Sequence, residues 1–406
     1  MVKHSNYWFE TCATRKHVSA GLVRNVDVLI IGGGITGMNL LYRLISSGIS
    51  NTFLVEEASV GFHSSGRGNG QLQYRTSVPF YSLPDKIGQE YLEFVCQNNK
   101  RFARGLTNVP FETDMQQSGG LRLATDANEM QSLKEEAVFL KQNQGMDCPL
   151  LTTEEVRSIL PSAAFCGGMF MPSEFTFNPY KIVNGLMDII ERQGVRVLTG
   201  TQVENVAQNK DGSLAVSIRH RGIIQAGRVV YCINGYTPEL LRELEPVMTP
   251  FRGQMVATDI LPPPVLSVIP SMSMTCNNGS EYFRLHNGKL LVGGMRLAIR
   301  GRQEGIIVDG ENSPTVYDKL RHFVSTSLPF VNTNFSHTWT GIMCSTKDSL
   351  PIIGAVPNRP NEYVIAGCQG YGFSHALLSS MIIKDLIMHG ESTLPGSRIF
   401  SPARFS

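Results

Sequence analysis

The chain has 406 residues, more than a single hydrophobic core usually serves, so two subdomains are expected. Hydrophobic residues at 42% and charged residues at 17% exclude a disordered or fibrous chain. The 36 basic and 34 acidic residues leave a formal charge of +2 with no basic stripe, so neither a nucleic-acid partner nor an anionic membrane surface is expected. The first residues, MVKHSNYWFETCATRKHV, are polar and charged where a secretory signal carries its apolar core, and no uncharged run reaches membrane-spanning length. The eight cysteines are scattered, and no two have the CxxC spacing of a zinc site or redox pair. A reduced, cytoplasmic setting and no bound metal are the expectation.

In chain order, VDVLIIGGGITGMNLLYRLISSGISNTFLVEE predicts a short strand from Val28 to Ile31, a glycine turn, a helix stopped by Ser-Gly, and a second strand. That is a βαβ unit. The next stretch, VGFHSSGRGNGQLQ, is too polar for a core element and too rich in glycine for a regular one, so it predicts a ligand-serving loop. From about Pro79 to Gln144 the pattern is that of amphipathic helices around the strand GGLRLAT. A second α/β stretch begins at Thr152, with the helix KIVNGLMDIIERQG and the strand-like runs VRVLTGTQVENVAQ, LAVSIRH and RVVYCING. Between Pro250 and about Thr326, GQMVATDIL, EYFRLHNG and KLLVGGMRL alternate apolar and polar residues at period two, as one face of an antiparallel sheet does. The tail returns to α/β character in EYVIAGCQGYGFSHALLSSMIIKDLIMHG, and no internal repeat appears.

The glycines carry the first chemical signal. Gly32, Gly34 and Gly37 form GxGxxG between strand and helix: a tight turn, a close backbone approach to a pyrophosphate, and a helix packed on its strand. The helix start, with Ile35 and Thr36, offers free N–H groups to phosphate. Glu56, followed by Glu57, closes the next strand, where an acid accepts hydrogen bonds from ribose hydroxyls. NAD and FAD both satisfy this pattern. The second glycine-rich segment, Gly61 to Gly70, favours FAD, because an extended dinucleotide with an isoalloxazine ring needs more backbone to track it. Gly367, Gly370 and Gly372 before a predicted helix allow the backbone to lie against the flavin, with the helix's positive end towards the reduced ring.

In SSGRGNGQ the chain resembles the D-amino-acid oxidase family, whose loop reads ASGRNGGQ, with glycine and asparagine exchanged here at residues 68 and 69. The resemblance continues through NYWFETC, TGTQVENV, RVVYCINGYTPEL, PFRGQMVAT, LLVGGMRL, TWTGIMCSTKDSLPIIG, IAGCQGYGFSHA and the terminal SPARF, which implies a full-length member. It implies an α/β fold, α+β overall, with a Rossmann-like FAD-binding domain and a substrate domain built on an antiparallel sheet. The FAD-binding domain is expected from residues 1–78, 151–248 and 331–406, and the substrate domain from 79–150 and 249–330.

The cofactor contacts that the resemblance implies are His63, Ser64, Ser65, Gly66, Arg67, Asn69, Gly70 and Gln71 in the loop. Val203 would meet the adenine. Asn234 and Gly235 would lie under the cofactor, with Gly341, Asp348, Gly367, Gly370, Tyr371, Gly372 and Phe373 supplied by the last two motifs. FHSSG is similar to the WHAAG tract in which a branch of the family links histidine covalently to flavin; noncovalent FAD is favoured, with a link through His63 as the second option. Sarcosine oxidases attach flavin through a cysteine whose counterpart here is Gly341, so Cys344 is expected to be a buried, inert thiol.

In enzymes of this kind, catalysis comes from placing the substrate's C–H over the flavin, so no general base is required. Tyr371 and His375 are expected to face the ring. Sarcosine oxidases hold the substrate carboxylate with the lysine of GHGFK, where this chain has Ser374, so a small amino acid such as sarcosine is disfavoured. Arg75, Arg252, Arg284 and Arg296 are the alternative anchors, with Arg284 placed among the catalytic residues. The YW leader and GRGNGQ lean towards the γ-glutamylputrescine branch and longer amines. The expected reaction is oxidation of an amine or amino acid to an imine that water hydrolyses, with electrons passed to oxygen or to an acceptor protein; a homo-oligomer is left open. The rival is an FAD-binding structural or assembly subunit without turnover. A flavin hydroxylase would need a GD-containing tract and a disulfide reductase a CxxxxC pair, and neither is found.

Overall fold

A computed structural model describes residues 2–12, 19–195 and 197–406. Part of the N-terminal leader and Arg196 of the run VRVLTG lie outside the described residues.

The strand Asn25–Ile31 is apolar on both faces from Val28 onward, and such runs belong at the centre of a parallel sheet covered on both sides. It pairs in parallel with Thr52–Val55 on one side and Gly222–Tyr231 on the other, so that Ile30 lies between Leu54 and Val230. The order across this eight-stranded sheet is Ile352–Ala355, Glu362–Ala366, Gly222–Tyr231, Asn25–Ile31, Thr52–Val55 and Val197–Leu198. Leu214–Ile218 and Val203–Gln208 extend it from Gly222–Tyr231 as an antiparallel flap.

The helix Ile35–Ser46 buries Ile35, Met38, Leu41 and Leu44 against this sheet, a spacing that sets one apolar stripe inward. It stops at Ser47 and Gly48, the latter at φ +88°. The final helix, Phe373–His389, packs beside it, and Asp85–Leu106 packs on that helix in turn. Pro179–Arg192 starts sharply because Asn178 accepts from the Tyr180 and Lys181 amides and Pro179 needs no partner in the first turn.

The second eight-stranded sheet runs Phe335–Thr346, Met248–Thr258, Lys289–Gly293, Glu281–His286, Ser273–Cys276, Gly120–Ala124, Gly167–Met171 and Leu150–Leu151. The helix Pro314–Ser327 covers one face, with Val316, Leu320 and Val324 in a common core with Val256, Phe283 and Val292. Two segments expected in the FAD-binding part pair here instead. Phe335–Thr346 runs antiparallel to Met248–Thr258 along nearly its whole length, Gly341 opposite Gly253, and Gly167–Met171 pairs with Gly120–Ala124. Both pairings join strands distant in sequence, whose edge N–H and C=O groups find their partners across the sheet. A two-stranded ribbon, Gln71–Leu72 with Phe175–Thr176, ties the glycine-rich loop between the sheets.

Among the described residues no helix is long and apolar enough to cross a membrane, and no cluster of metal-ligating side chains is found.

Candidate active site

The glycine turn follows the geometry that its sequence demands. Gly32 has φ +107°, and a Cβ on Gly37 would sit 2.0 Å from the Gly32 carbonyl oxygen, so helix and strand approach too closely for any side chain. Glu56 accepts from the Gly33 amide at 2.6 Å and the Ala58 amide at 2.9 Å. Burial holds its carboxyl above the usual range, against those amides and the His63 charge. At the helix start the Ile35 amide donates to Ser65 Oγ at 3.0 Å. A cleft lies here, lined by Gly32, Gly34, Glu56, Glu57, His63, Ser64, Ser65, Val203 and Asn234. Thr36 opens the same helix without lining the cleft, and Gly235 lies behind it against Ile342.

His63 sits on the wall of this cleft between two acids. Its Nδ1 is 2.9 Å from Asp309 Oδ2, and the Tyr236 hydroxyl donates to the same oxygen at 3.0 Å. Nε2 is 2.8 Å from Glu57 Oε1, a close ion pair but a poorly directed hydrogen bond. Burial alone would lower the imidazole pKa; Asp309, Glu57 and Glu56 outweigh it and push the group up to about 9. At neutral pH it is an imidazolium.

Four successive carbonyls of the loop beyond His63, from Gly66 to Asn69, each find a donor. Gly66 O accepts from Asn6 Nδ2 and Gly68 O from Trp8 Nε1, both at 2.8 Å. Arg67 O accepts from Trp339 Nε1 at 2.8 Å, and Asn69 O from Arg284 Nε at 2.7 Å. Ser64 Oγ donates to Ile342 O, and the Arg67 guanidinium reaches Phe62 O and Thr340 O while lying over the Phe62 ring. What the loop leaves unpaired is the buried side-chain amide of Asn69, both atoms of it, and Gln73 Nε2 nearby. Buried amides without partners are costly unless a polar ligand meets them.

From the dinucleotide cleft the space continues. Ser64 also lines a second cavity with Arg67, Gly68, Trp339 and Gly341. Gly68, Tyr282 and Met343 are shared with a third, wider one bounded by Asn69, Gly70, Gln71, Gln73, Arg296 and the segment Gly370–Phe373. One track thus runs from the glycine turn to the start of the last helix. Its donors and the unpaired Asn69 and Gln73 amides fit FAD.

Several predicted site residues lie off this track. His375 is fully buried; its Nε2 is 2.8 Å from the Tyr91 hydroxyl and its Nδ1 2.6 Å from the Tyr371 carbonyl, and burial pushes it down to about 4. It is a neutral core group, not a ring-facing one. Arg284 spends its donors on Asn69 O and Phe177 O and stacks over Trp8, so it shapes the loop and does not reach substrate space. Asp348 pairs with Arg404 at 2.6 Å and caps the Leu350 amide. Gly367, at φ +64°, packs on Thr346. Ser374 donates to Gln73 O at 3.0 Å inside the core. Cys344 is buried, and burial pushes its thiol up to about 12, while Gly341 lines the second cavity.

Sequence reasoning missed Asn6, Trp8 and Trp339 as supports of the loop, and Asp309 and Tyr236 as partners of His63. The tryptophans carried a readable signal: a buried indole needs an acceptor, and only a non-regular backbone has carbonyls to spare.

γ-Glutamylputrescine oxidoreductase of Escherichia coli is 23% identical over 95% of this chain and 90% of its own length. L-Proline dehydrogenase from P. horikoshii superposes with a TM-score of 0.79 at 20% identity, covering 95% of this chain and 98% of that one. Glycine oxidase from Geobacillus kaustophilus gives 0.75 at 20% identity, covering 93% and 98%. These structures share the fold. The family model described as FAD dependent oxidoreductase, DAO, matches residues 27–386, so the chain belongs to the DAO family of FAD-dependent oxidoreductases and its cofactor is FAD.

Proposed function

We propose that this enzyme oxidises the carbon–nitrogen bond of an amine or amino acid to an imine, which water then hydrolyses to a carbonyl compound. The observation that carries the reading is the third cavity. Its described lining residues include no carboxylate, lysine or histidine, and the tyrosines on its wall, Tyr282 and Tyr371, are poor bases while protonated, so the cavity offers no strong group to take a proton from carbon. FAD, when bound, supplies a two-electron acceptor for the substrate's hydride. What the chain contributes is placement: Gly370 and Gly372 keep the wall thin beside the ring, Tyr282 and Tyr371 bound the cavity, and the N-terminus of Phe373–His389 turns its positive end to it. The amine must arrive as the free base with its lone pair available. That γ-glutamylputrescine oxidoreductase, D-amino acid dehydrogenase and glycine oxidase resemble this chain supports a substrate of the amine or amino-acid class.

We also read the FAD as noncovalent. A histidine that attacks the flavin needs a nitrogen lone pair, and the His63 imidazolium between Glu57 and Asp309 has none to offer at neutral pH.

The test is anaerobic addition of γ-glutamylputrescine, N-methyl amino acids, D-amino acids and L-proline to the yellow protein, following loss of flavin absorbance and trapping the carbonyl product. Acid precipitation of the same sample should leave the colour in the supernatant. An FAD-loaded protein that none of these compounds bleaches would sink the reading.

A further inference from the structure

Three segments far apart in sequence meet at the dinucleotide cleft. His63 follows the strand Thr52–Val55 and Tyr236 follows Gly222–Tyr231, and these strands flank Asn25–Ile31 on opposite sides. The glycine turn that ends the middle strand therefore lies between the two residues. Both line the cleft, and their ring centroids stand 5.4 Å apart, so side chains bridge from one wall to the other. Asp309 fastens that bridge: His63 Nδ1 donates to its Oδ2 at 2.9 Å, and the Tyr236 hydroxyl donates to the same oxygen at 3.0 Å.

Asp309 belongs to neither wall. It lies in residues 299–313, which connect the 3-10 turn Arg296–Ala298 to the helix Pro314–Ser327 with no helix or strand between them. Both ends of this connection are pinned. Near its start the Arg252 amide donates to Gln303 O at 3.0 Å and the Gly305 amide to Pro250 O at 2.8 Å. Near its end the Gly310 amide donates to Thr340 Oγ1 at 3.0 Å and the Ser313 amide to Gln254 Oε1 at 2.8 Å. Between the pins Ile307 and Val308 are 38% and 52% exposed, so burial holds neither in place. The Asp309 side chain, next in line, is only 10% exposed. A stretch pinned at both ends, exposed in its middle and hooked by one buried acid opens locally at the hook, where few apolar contacts oppose it. Asp309 Oδ1 is buried with no partner among the described residues, which lowers the net stability of the closed contact.

We propose that residues 299–313 form a strap whose Asp309 clasps His63 and Tyr236 across the cleft, and that FAD enters and leaves only when this clasp parts. The three side chains spend their hydrogen bonds on one another, so parting them removes none of the amide donors of the glycine turn. The clasp thus governs the rate of exchange more than the affinity. A charge-assisted contact makes that rate slow. The device concerns the cofactor alone and does not depend on which substrate is oxidised.

The test measures FAD release and FAD uptake separately in wild type, Asp309→Asn, Tyr236→Phe and Glu311→Gln. Release is followed by the rise in FAD fluorescence when the holoprotein is diluted, and uptake by its fall when full-length apoprotein meets FAD. Losing a contact to FAD speeds release alone, whereas losing a gate speeds both directions. Asp309→Asn should release FAD about tenfold faster or more and take it up faster too, so that the dissociation constant moves far less than either rate. Tyr236→Phe should shift both rates the same way by less. Glu311→Gln, an exposed change on the same strap, should match wild type. Unchanged rates in both Asp309→Asn and Tyr236→Phe overturn the proposal. Faster release with unchanged or slower uptake also overturns it, since Asp309 would then merely support the bound cofactor. If Asp309→Asn does not fold, the same two rates in Tyr236→Phe decide.

Discussion

The two ends of the cofactor track are built on opposite electrostatic plans. At the glycine-turn end Glu56, Glu57 and Asp309 crowd around a single cation, His63, so acidic groups are in excess. At the ring end the wall is neutral except for Arg296, and the Asn69 and Gln73 amides are left without partners. The first wall is built from charged groups that face one another; the second holds buried amides whose cost a polar ligand offsets.

The comparison breaks most severely at the shared glycine turn. Gly37→Val would place side-chain atoms on the Gly32 carbonyl, a backbone clash with no room to relax. The purified variant should be colourless and unable to take up added FAD, with stability reduced by about 3 kcal/mol or more. A variant that still binds FAD at the wild-type level would show that the turn does not serve the phosphates.

Arg284→Met probes the loop that joins the two ends. It removes the donors of Asn69 O and Phe177 O together, each buried. A loss of about 2 to 4 kcal/mol in thermal or denaturant unfolding is expected, with FAD content falling in step. If Arg284 instead held substrate, stability would be nearly unchanged and KM would rise.

Asp309→Asn sharpens the comparison at the charged end. His63 is held at about 9 when folded, above the ordinary value of about 6.5. Its contribution is therefore complete below pH ~6.5 and disappears as pH rises through ~9, up to about 3 kcal/mol in all. Wild type should lose stability across that window. Asp309→Asn should start lower and show a flatter slope, which unfolding midpoints at several pH values will measure. Parallel slopes in the two proteins would mean that His63 is not the group responsible.

What was legible in the sequence was whatever is local. GxGxxG with Glu56 marks a turn, a helix start and a strand end within one βαβ unit, and the loop from Gly61 to Gly70 marks itself by glycine. The tract before the last helix was equally plain, because Gly370 and Gly372 stand next to the residues they leave room for. The errors are all long-range. His375 looked ring-facing because it follows Tyr371, yet Tyr91, on a helix nearly three hundred residues earlier, pulls it into the core. Asp348 shares its motif with Gly341, but its partner is Arg404. The strand Phe335–Thr346 was grouped with the tail by motif order, when its edge pairs with Met248–Thr258. Arg284 was read by its charge, whereas its surroundings of backbone carbonyls make it a hub for the loop. Nothing in the order of residues announces that Asp309 meets His63.

The loop's carbonyls are met by Trp8 from the start of the chain, Arg284 from its middle and Trp339 from near its end. During synthesis, the loop and the glycine turn leave the ribosome long before Trp339 and the segment at Gly370 exist. A nascent chain can therefore offer the phosphates a place well before it can offer one to the ring, and firm capture of the cofactor belongs to the finished polypeptide.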